Sequence, residues 1–390
     1  MTASSMTPRE RFLAVARFET PDYVPIFGFA GAPGMSWGCM KGTYDHLLAT
    51  GMPDVGGVFD SRGYHNPEGW FRYWGTTAPI DIDFGTAWGA EGFRETRRVE
   101  GGFETIESEN GAITRQVIDN DITYSMPEFI RYPVRDRASW EFFKERITPR
   151  VRMSREEIDE RCRKFDGRTM PLEIGGGSTY GFIRGVMGPE AASLCFYDDP
   201  ELAHDIIDWN LTHVRETAFP LIERLKPEIV ATGEDLCYNH GMLLSPKLFD
   251  EFCGPYYREL CGACETAGVA MIGIDTDGNM MEFADVIARY GVNGILPCEV
   301  KAGNDLFALR RRHPRMIYFG WLEKETINEG NEAMIEPEIM EKVPALLAQG
   351  GYFPNGDHGI QPLATFPSLC RFMTLLHEVT GNPEGEFPRT

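Results

Sequence analysis

From Met170 to the end of the chain, short apolar segments alternate with helical patterns of ten or more residues, and few folds accommodate this alternation. The apolar segments end in glycine or in polar residues, and Ser245-Pro246 shows the capping residue and proline typical of a helix start. Strands that alternate with helices form βαβ units, so their strands lie parallel in one sheet. Six such strands are predicted, beginning at Met170, Pro227, Val269, Gly291, Met316 and Gly351.

The N-terminal region adds strands to this count. Thr7, followed by proline and by glutamate three residues later, caps a predicted helix, and the apolar segment from Pro21 to Gly31 predicts the first strand. Residues 35–83 predict only one short helix, near Tyr44. The total approaches eight strands, so we predict an α/β fold, a (β/α)8 TIM-type barrel. An open doubly wound sheet is the alternative, but no Gly-x-Gly-x-x-Gly follows the first strand.

Between Phe84 and Val134 the pattern changes to alternation at every second position, which is typical of exposed strands. Asn110-Gly111 separates two of these segments, and Asn-Gly is the strongest short hairpin signal because both turn residues adopt positive φ. We therefore predict a β-hairpin excursion over residues 84–134, within a single barrel domain that spans residues 1–390.

Charge and composition exclude several classes of partner. The 390-residue chain has a net charge of −21, so nucleic acid and anionic membrane surfaces would repel it. No apolar segment approaches the roughly 18 residues of a membrane span, and the N-terminus lacks the regions of a signal peptide. The nine scattered cysteines are typical of reduced thiols. We expect a cytoplasmic protein, with a homodimer as an open alternative to a monomer.

Polar residues collect at the predicted carboxyl ends of the strands, which meet at one mouth of a barrel. A single acid there is typically a helix cap or a loop residue, and Asp357 is open to that interpretation. The whole set is harder to explain in this way, because crowded carboxylates repel one another unless they are protonated, paired or bridged by a cation. The pattern indicates a metal site or a general acid. The residues are Glu234, Asp235, Asn239, His240, Asp275, Asp277, Asn279, Cys298, Glu299, Glu323, Asp357 and His358.

Five motifs in this order resemble the uroporphyrinogen decarboxylase superfamily, over nearly the whole chain. They are Thr7-Pro-Arg-Glu-Arg, Pro21-Asp-Tyr-Val-Pro, Ser245-Pro-Lys-Leu-Phe with Pro255-Tyr-Tyr, Asp277-Gly-Asn and Asp357-His358-Gly-Ile. The resemblance implies a (β/α)8 barrel with one of two activities, which are decarboxylation of uroporphyrinogen and methyl transfer involving a corrinoid. Met126-Pro-Glu-Phe-Ile and Pro133-Val-Arg-Asp-Arg resemble a demethylase-like group of the superfamily.

Two departures from the family motifs bear on the choice of activity. The decarboxylases carry Met-Arg-Gln-Ala-Gly-Arg-Tyr after the first strand, and its arginines bind the substrate carboxylates, whereas residues 27–37 here contain no arginine. His358 does match the histidine of the decarboxylase Gly-His-Gly segment. Zinc-binding methyltransferases have His-x-Cys-Gly-Asn where this chain has Asp275-Thr-Asp277-Gly-Asn, and residues 355–359 contain no cysteine. A thiolate site is therefore excluded there, but an oxygen and nitrogen site is not.

The resemblance thus implies a cobalamin-dependent methyltransferase of the O-demethylase type. It would move a methyl group from a small substrate, for which we favour an aromatic methyl ether, to a corrinoid on a separate protein, with zinc as a candidate cofactor. A decarboxylase with another substrate is the first alternative, and a non-enzymatic barrel that binds a ligand is the second. The candidate catalytic residues are His358, Glu234 and Asp277. The candidate metal ligands are Asp275, Asp277, Glu299 and His358, and the candidate substrate-binding residues are Trp37, Tyr180, Asn239, His240 and Asn279.

Overall fold

A parallel sheet of seven strands curls into most of a barrel in the computed structural model of this protein. The structure describes residues 6–28, 36–60, 63–82, 88–89, 94–118, 127–149 and 153–390. We number the barrel strands in chain order, and β2 is divided into two short pieces. The strands are β1 (Ile26–Phe27), β2 (Thr76–Thr77 and Ile80–Asp81), β3 (Leu172–Gly175), β4 (Ile229–Gly233), β5 (Met271–Asp275), β6 (Gly294–Leu296), β7 (Ile317–Leu322) and β8 (Tyr352–Gly356).

Strand β1 closes the barrel between β2 and β8. It pairs in parallel with the first piece of β2, with Ile26 opposite Thr76, while the second piece of β2 pairs in parallel with β3. On its other side, the Phe27 carbonyl accepts a hydrogen bond of 3.3 Å from Nδ2 of Asn355 in β8. The Phe27 ring also packs 5.7 Å from that of Phe353. The predicted eight-stranded barrel is therefore confirmed.

Helices surround the barrel and connect its strands. A capping box at Thr7 starts the first helix, as predicted, and Ser245 caps the helix that begins at Pro246. Asp357 was open to interpretation as the cap of the last helix, but Thr365 fills that position. The α-helices are Pro8–Ala16, Lys41–Ala49, Pro67–Trp74, Arg137–Arg146, Arg155–Cys162, Tyr180–Met187, Pro189–Asp198, Pro200–Leu225, Pro246–Leu248, Gly254–Ala267, Phe283–Ala288, Leu306–Arg312, Ile335–Leu347 and Phe366–Thr380.

The barrel interior is a packed aromatic and aliphatic core. Phe12 of the first helix stacks 5.2 Å from Phe353, and this helix packs on residues at the amino ends of the strands, such as Ile229 and Met271. The helix therefore fills the barrel end opposite the mouth. The other buried members of this core are Val15, Ala16, Phe27, Leu296, Ile317 and Phe319. Truncating a core phenylalanine to alanine costs about 3–5 kcal/mol of stability, so this layer is a major determinant of the fold.

The predicted excursion is an antiparallel sheet of four strands, larger than one hairpin. The hairpin at Asn110-Gly111 is confirmed, because Phe103–Glu107 pairs antiparallel with Ile113–Val117. Thr96–Glu100 and Glu128–Arg131 extend the sheet on either side. The parts of the 84–134 segment at residues 84–87, 90–93 and 119–126 lie outside the described residues.

The remaining strands are short and lie outside the barrel and the excursion. No helix within the described ranges combines the length and apolarity needed to cross a bilayer. The short strands outside the barrel and the excursion are Cys39–Met40, Val58–Asp60, Gly63–His65, Trp88–Gly89, Thr148–Pro149, Cys237–Tyr238 and Gly241–Met242.

Candidate active site

The carboxyl ends of three barrel strands bring acids and a histidine to the mouth. Asp275 is the last residue of β5, and Asp277 follows it by two residues. Asp235 follows β4, and His358 follows β8. The carboxyl ends of parallel barrel strands lie at one face, so residues distant in sequence meet there.

His358 and Asp277 form an ion pair across this mouth. Nε2 of His358 lies 3.0 Å from Oδ1 of Asp277, and their side chains are 28% and 58% exposed. Burial alone would lower the pKa of His358, but the hydrogen bond to Asp277 and the neighbouring Asp357 raise it to about 9. The same hydrogen bond holds the pKa of Asp277 below its usual range. At neutral pH, His358 is therefore a cation and Asp277 an anion.

Asp357, the neighbour of His358, is buried and connects three loops of the mouth. Its Oδ2 accepts a hydrogen bond of 2.9 Å from the Val300 amide after β6, and its Oδ1 accepts one of 3.2 Å from the Lys324 amide after β7. Nδ1 of His358 lies 3.9 Å from the same Oδ1, which is ion-pair rather than hydrogen-bond distance. Burial alone would raise the pKa of Asp357, but His358 and the Val300 amide bring it below its usual range.

The side chain of Asp275 is exposed at the mouth, and its carboxylate makes no hydrogen bond with the described residues. Solvent reaches this side chain, yet it lies deep among protein atoms. Burial therefore raises its pKa to about 7, the charges of Asp235 and Asp277 add to the effect, and His358 opposes it. At neutral pH this carboxyl exists in both protonated and ionised forms, so it can give or take a proton.

Asp235 is held beside Asp275 by a strained backbone and an arginine. Its φ of 43° lies in the left-handed region, which non-glycine residues rarely adopt. Its Oδ2 accepts a hydrogen bond from Nη2 of Arg184 on the helix Tyr180–Met187. The Arg184 cation thus balances one of the acids of the mouth.

Glu234, a candidate catalytic residue, is fully buried beneath the mouth. Its carboxylate accepts hydrogen bonds of 2.7 Å from both the amide and the hydroxyl of Thr179, and one of 2.8 Å from the Gly181 amide. The Tyr257 hydroxyl is a further donor. Burial raises the pKa of Glu234, although these donors oppose the effect. Glu234 therefore fixes the loop after β3 and is closed off from a ligand.

The candidate substrate-binding residues occupy different places. Tyr180 is fully buried, with its hydroxyl 3.1 Å from Oγ of Ser193. The Asn279 side chain donates a hydrogen bond of 2.9 Å to the Ala302 carbonyl and accepts one of 3.2 Å from the Met281 amide, so it braces the loop after β5 instead.

The other three candidates are more accessible. Asn239 and His240 form the exposed turn of the short hairpin that follows β4. The Asn279 amide donates a hydrogen bond of 2.9 Å to the Tyr238 carbonyl of this hairpin, which places the turn at the rim of the mouth. Trp37 is half-buried and packs edge-on against Phe71, with ring centroids 5.3 Å apart.

The four predicted zinc ligands are not gathered into one cluster among the described residues. Among the described residues, no group of three or more His, Cys, Asp or Glu side chains is placed to hold a metal ion. Nε2 of His358 lies 3.0 Å from Oδ1 of Asp277, so these two predicted ligands contact each other. Glu299 instead accepts a hydrogen bond of 3.1 Å from the Gly278 amide. In this structure the residues form an ion pair and loop contacts, and the zinc site stays a prediction.

Two cations of the mouth were not found from the sequence. Arg184 and Lys324 lie in a helix and in a helical turn, where basic residues are common, and only their neighbours in space identify them. The Lys324 ammonium makes no hydrogen bond or ion pair with the described part of the chain, and its charge helps to lower the pKa of Asp277. No local sequence signal distinguishes either residue.

The fold and the mouth define an α/β-barrel protein whose titratable residues collect at the carboxyl ends of the strands, where barrels of this class carry their active sites. The comparisons make the family specific. The chain belongs to the uroporphyrinogen decarboxylase (URO-D) family, whose model matches residues 154–379. This confirms the family that the motifs indicated.

A solved structure shares the fold over nearly its whole length. It is a methyltransferase from Methanosarcina mazei, with 14% sequence identity and a TM-score of 0.56, and the match covers 97% of this chain and 99% of that one. At this identity the similarity establishes the fold and not the activity. No curated protein sequence matches the chain.

Proposed function

We infer that this protein is a methyltransferase that moves a methyl group from a small donor, for which an aromatic methyl ether is the candidate, to a corrinoid on a partner protein. The family and the methyltransferase of the same fold support this class of activity. The observation that carries the proposal is the mouth itself, where an open carboxyl that can hold a proton stands beside a charged His358–Asp277 pair.

The reaction requires a proton at the leaving oxygen. When the bond between the methyl carbon and the ether oxygen breaks, its electron pair stays on oxygen, which is a poor leaving group unless it is protonated. Asp275 faces the mouth and is partly protonated at neutral pH, so it is the group that would deliver this proton. The partner's corrinoid would supply the nucleophile that accepts the methyl group.

His358 then has an electrostatic role in place of direct proton donation. Its Nε2 is engaged by Asp277, and its Nδ1 is buried without a hydrogen bond beside Asp357. The imidazolium keeps Asp277 ionised, and the Asp277 charge in turn helps to keep the Asp275 pKa high. His358 acts on the Asp275 pKa in the opposite direction, so burial and the Asp235 and Asp277 charges keep that pKa high.

The charge of the mouth also favours this function over uroporphyrinogen decarboxylation. Uroporphyrinogen carries many carboxylates, which arginines bind in bidentate geometry. Residues 27–37 contain no arginine, and Arg184 is already paired with Asp235. Decarboxylation of a substrate with fewer carboxylates is the alternative that the family supports.

The test combines the protein with a reduced corrinoid protein and a panel of methoxyarenes, methylamines and methyl thiols. Methyl transfer is expected to change the corrinoid absorbance and release the demethylated product. Asp275→Asn should slow the reaction by roughly 10²–10⁴-fold, the usual contribution of a general acid. Glu265→Gln, at an exposed position on an outer helix, is the matched control. Absence of transfer from every donor would contradict the proposal and favour a ligand-binding barrel.

A further inference from the structure

Two glycines leave bare backbone at the mouth, next to Asp275. Gly175 ends β3 and Gly233 ends β4, and both are exposed. A Cβ atom built on either residue meets no heavy atom of the described chain within 4 Å. Neither glycine has a positive φ, so the backbone conformation does not require glycine at these positions. At both positions, the space that a side chain would occupy is empty.

The strand register shows that this space lies inside the barrel mouth. Ile229 belongs to the interior core, and residues two apart on a strand face the same side, so Ala231 and Gly233 also face inward. Gly175 is paired with Ala231, and Gly233 with Asp275. All four positions therefore share one face. Gly175 and Gly233 thus form a small surface of exposed backbone, here called the floor, which lies above the packed core and beside the open carboxyl of Asp275.

The dimensions of this floor suit one planar ring. Neighbouring strands lie about 4.8 Å apart and advance about 3.3 Å per residue, so Gly175 and Gly233 are separated by one strand spacing and about two residue steps. That area is close to the footprint of a single six-membered ring. Carbon atoms pack at about 3.5–4.0 Å, so a ring can lie against the two glycines only if no Cβ atom stands between them.

We propose that Gly175 and Gly233 determine substrate specificity, because they form a floor on which the flat face of an aromatic methyl donor lies with its ether oxygen towards Asp275. The inference rests on the proposed function and adds the shape of the substrate to it. The glycines select for a planar group by contact area, and Asp275 sets the orientation of that group. A non-aromatic methyl ether gains no comparable contact with the floor.

The test uses two substitutions that the fold should accept. Gly175→Ala and Gly233→Ala each add one methyl group in open space, so the Tm of each variant should match that of the wild type. Binding of 2-methoxyphenol and of 2-methoxyethanol is measured by calorimetry without any corrinoid protein. Each alanine should weaken binding of 2-methoxyphenol at least tenfold and leave binding of 2-methoxyethanol within twofold of its wild-type value.

Gly262→Ala is the matched control. Gly262 is an exposed glycine on the helix Gly254–Ala267, with open space at its Cβ position and no positive φ, and it should change neither affinity. The inference is overturned if the wild type does not bind 2-methoxyphenol. It is also overturned if the wild type, Gly175→Ala and Gly233→Ala all bind this probe with equal affinity. The binding assay contains no corrinoid, so its result does not depend on methyl transfer. Weaker binding of 2-methoxyphenol by the two mouth variants, together with an absence of methyl transfer, would contradict the proposed function alone. Methyl transfer together with unchanged binding of 2-methoxyphenol by both variants would contradict this inference alone.

Discussion

Nε2 of His358 and Oδ1 of Asp277 lie 3.0 Å apart, although 81 positions separate the two residues in the sequence. Each group stabilises the charged form of the other, so the pKa of His358 is raised and that of Asp277 is lowered. Such mutual stabilisation links the charge of the mouth to the stability of the fold.

The ion pair between His358 and Asp277 should make the protein less stable at alkaline pH. The pKa of His358 rises from 6.5 to about 9 in the folded protein, so its contribution is fully present below pH 6.5 and is lost as the pH rises through 9. The free energy of unfolding should fall by on the order of 1–3 kcal/mol between pH 6.5 and 9.5 for this group. Urea denaturation of the wild type and His358→Gln at both pH values measures it. An equal decrease in both proteins would contradict the assignment.

Asp275 should change the stability in the same direction as His358, but over a lower pH range. Its folded pKa of about 7 exceeds the ordinary value of 3.8, so the folded state holds this proton more tightly than the unfolded state. The contribution is present below pH 3.8 and is lost as the pH rises through 7. Asp275→Asn should therefore have a higher Tm than the wild type at pH 8, and the difference should shrink at pH 5. A lower Tm for the variant at pH 8 would show that the ionised carboxylate stabilises the fold.

Glu234→Gln should destabilise the protein at every pH near neutrality. The amide nitrogen would replace an oxygen that accepts hydrogen bonds, and it would face donors from Thr179, Gly181 or Tyr257. Leaving such buried donors unpaired should cost about 2–4 kcal/mol in the free energy of unfolding. Chemical denaturation measures this cost, with Glu265→Gln as the exposed control. A cost below about 1 kcal/mol would show that the buried carboxylate is dispensable.

Uroporphyrinogen should not be decarboxylated. Residues 27–37 lack the two arginines of the decarboxylase motif and Arg184 is paired with Asp235, so the substrate carboxylates would lack their bidentate partners. Incubation with uroporphyrinogen, followed by chromatography of the oxidised porphyrins, should give no coproporphyrin. A uroporphyrinogen decarboxylase that retains both arginines of the motif serves as the positive control for the assay. Robust turnover by this chain would overturn the methyltransferase proposal.

The ends of the longer strands were predictable because glycines and acids mark them locally. Asn110-Gly111 predicted its hairpin for the same reason, since the turn depends on two adjacent residues. The two pieces of β2 were missed, because Thr76–Thr77 and Ile80–Asp81 are too short to show any periodicity.

Site residues were harder to predict, because their roles depend on contacts between distant parts of the chain. Glu234 and Asp275 are both acids at strand ends, and the sequence does not distinguish them. The structure does, since Glu234 is fully buried against Thr179 and Asp275 opens into the mouth. Tyrosine is likewise a common residue type in binding sites, but the ring of Tyr180 packs in the core.

The buried carboxylate of Asp357 has a mechanical consequence for the loops that it joins. Its two oxygens hold the amides of Val300 and Lys324, so the loops after β6, β7 and β8 share one anchor. Local opening that releases one of these amides should release the other, because both depend on the same side chain. Hydrogen exchange at Val300 and Lys324 should therefore proceed with one common opening free energy, and these three loops should behave as a single cooperative unit.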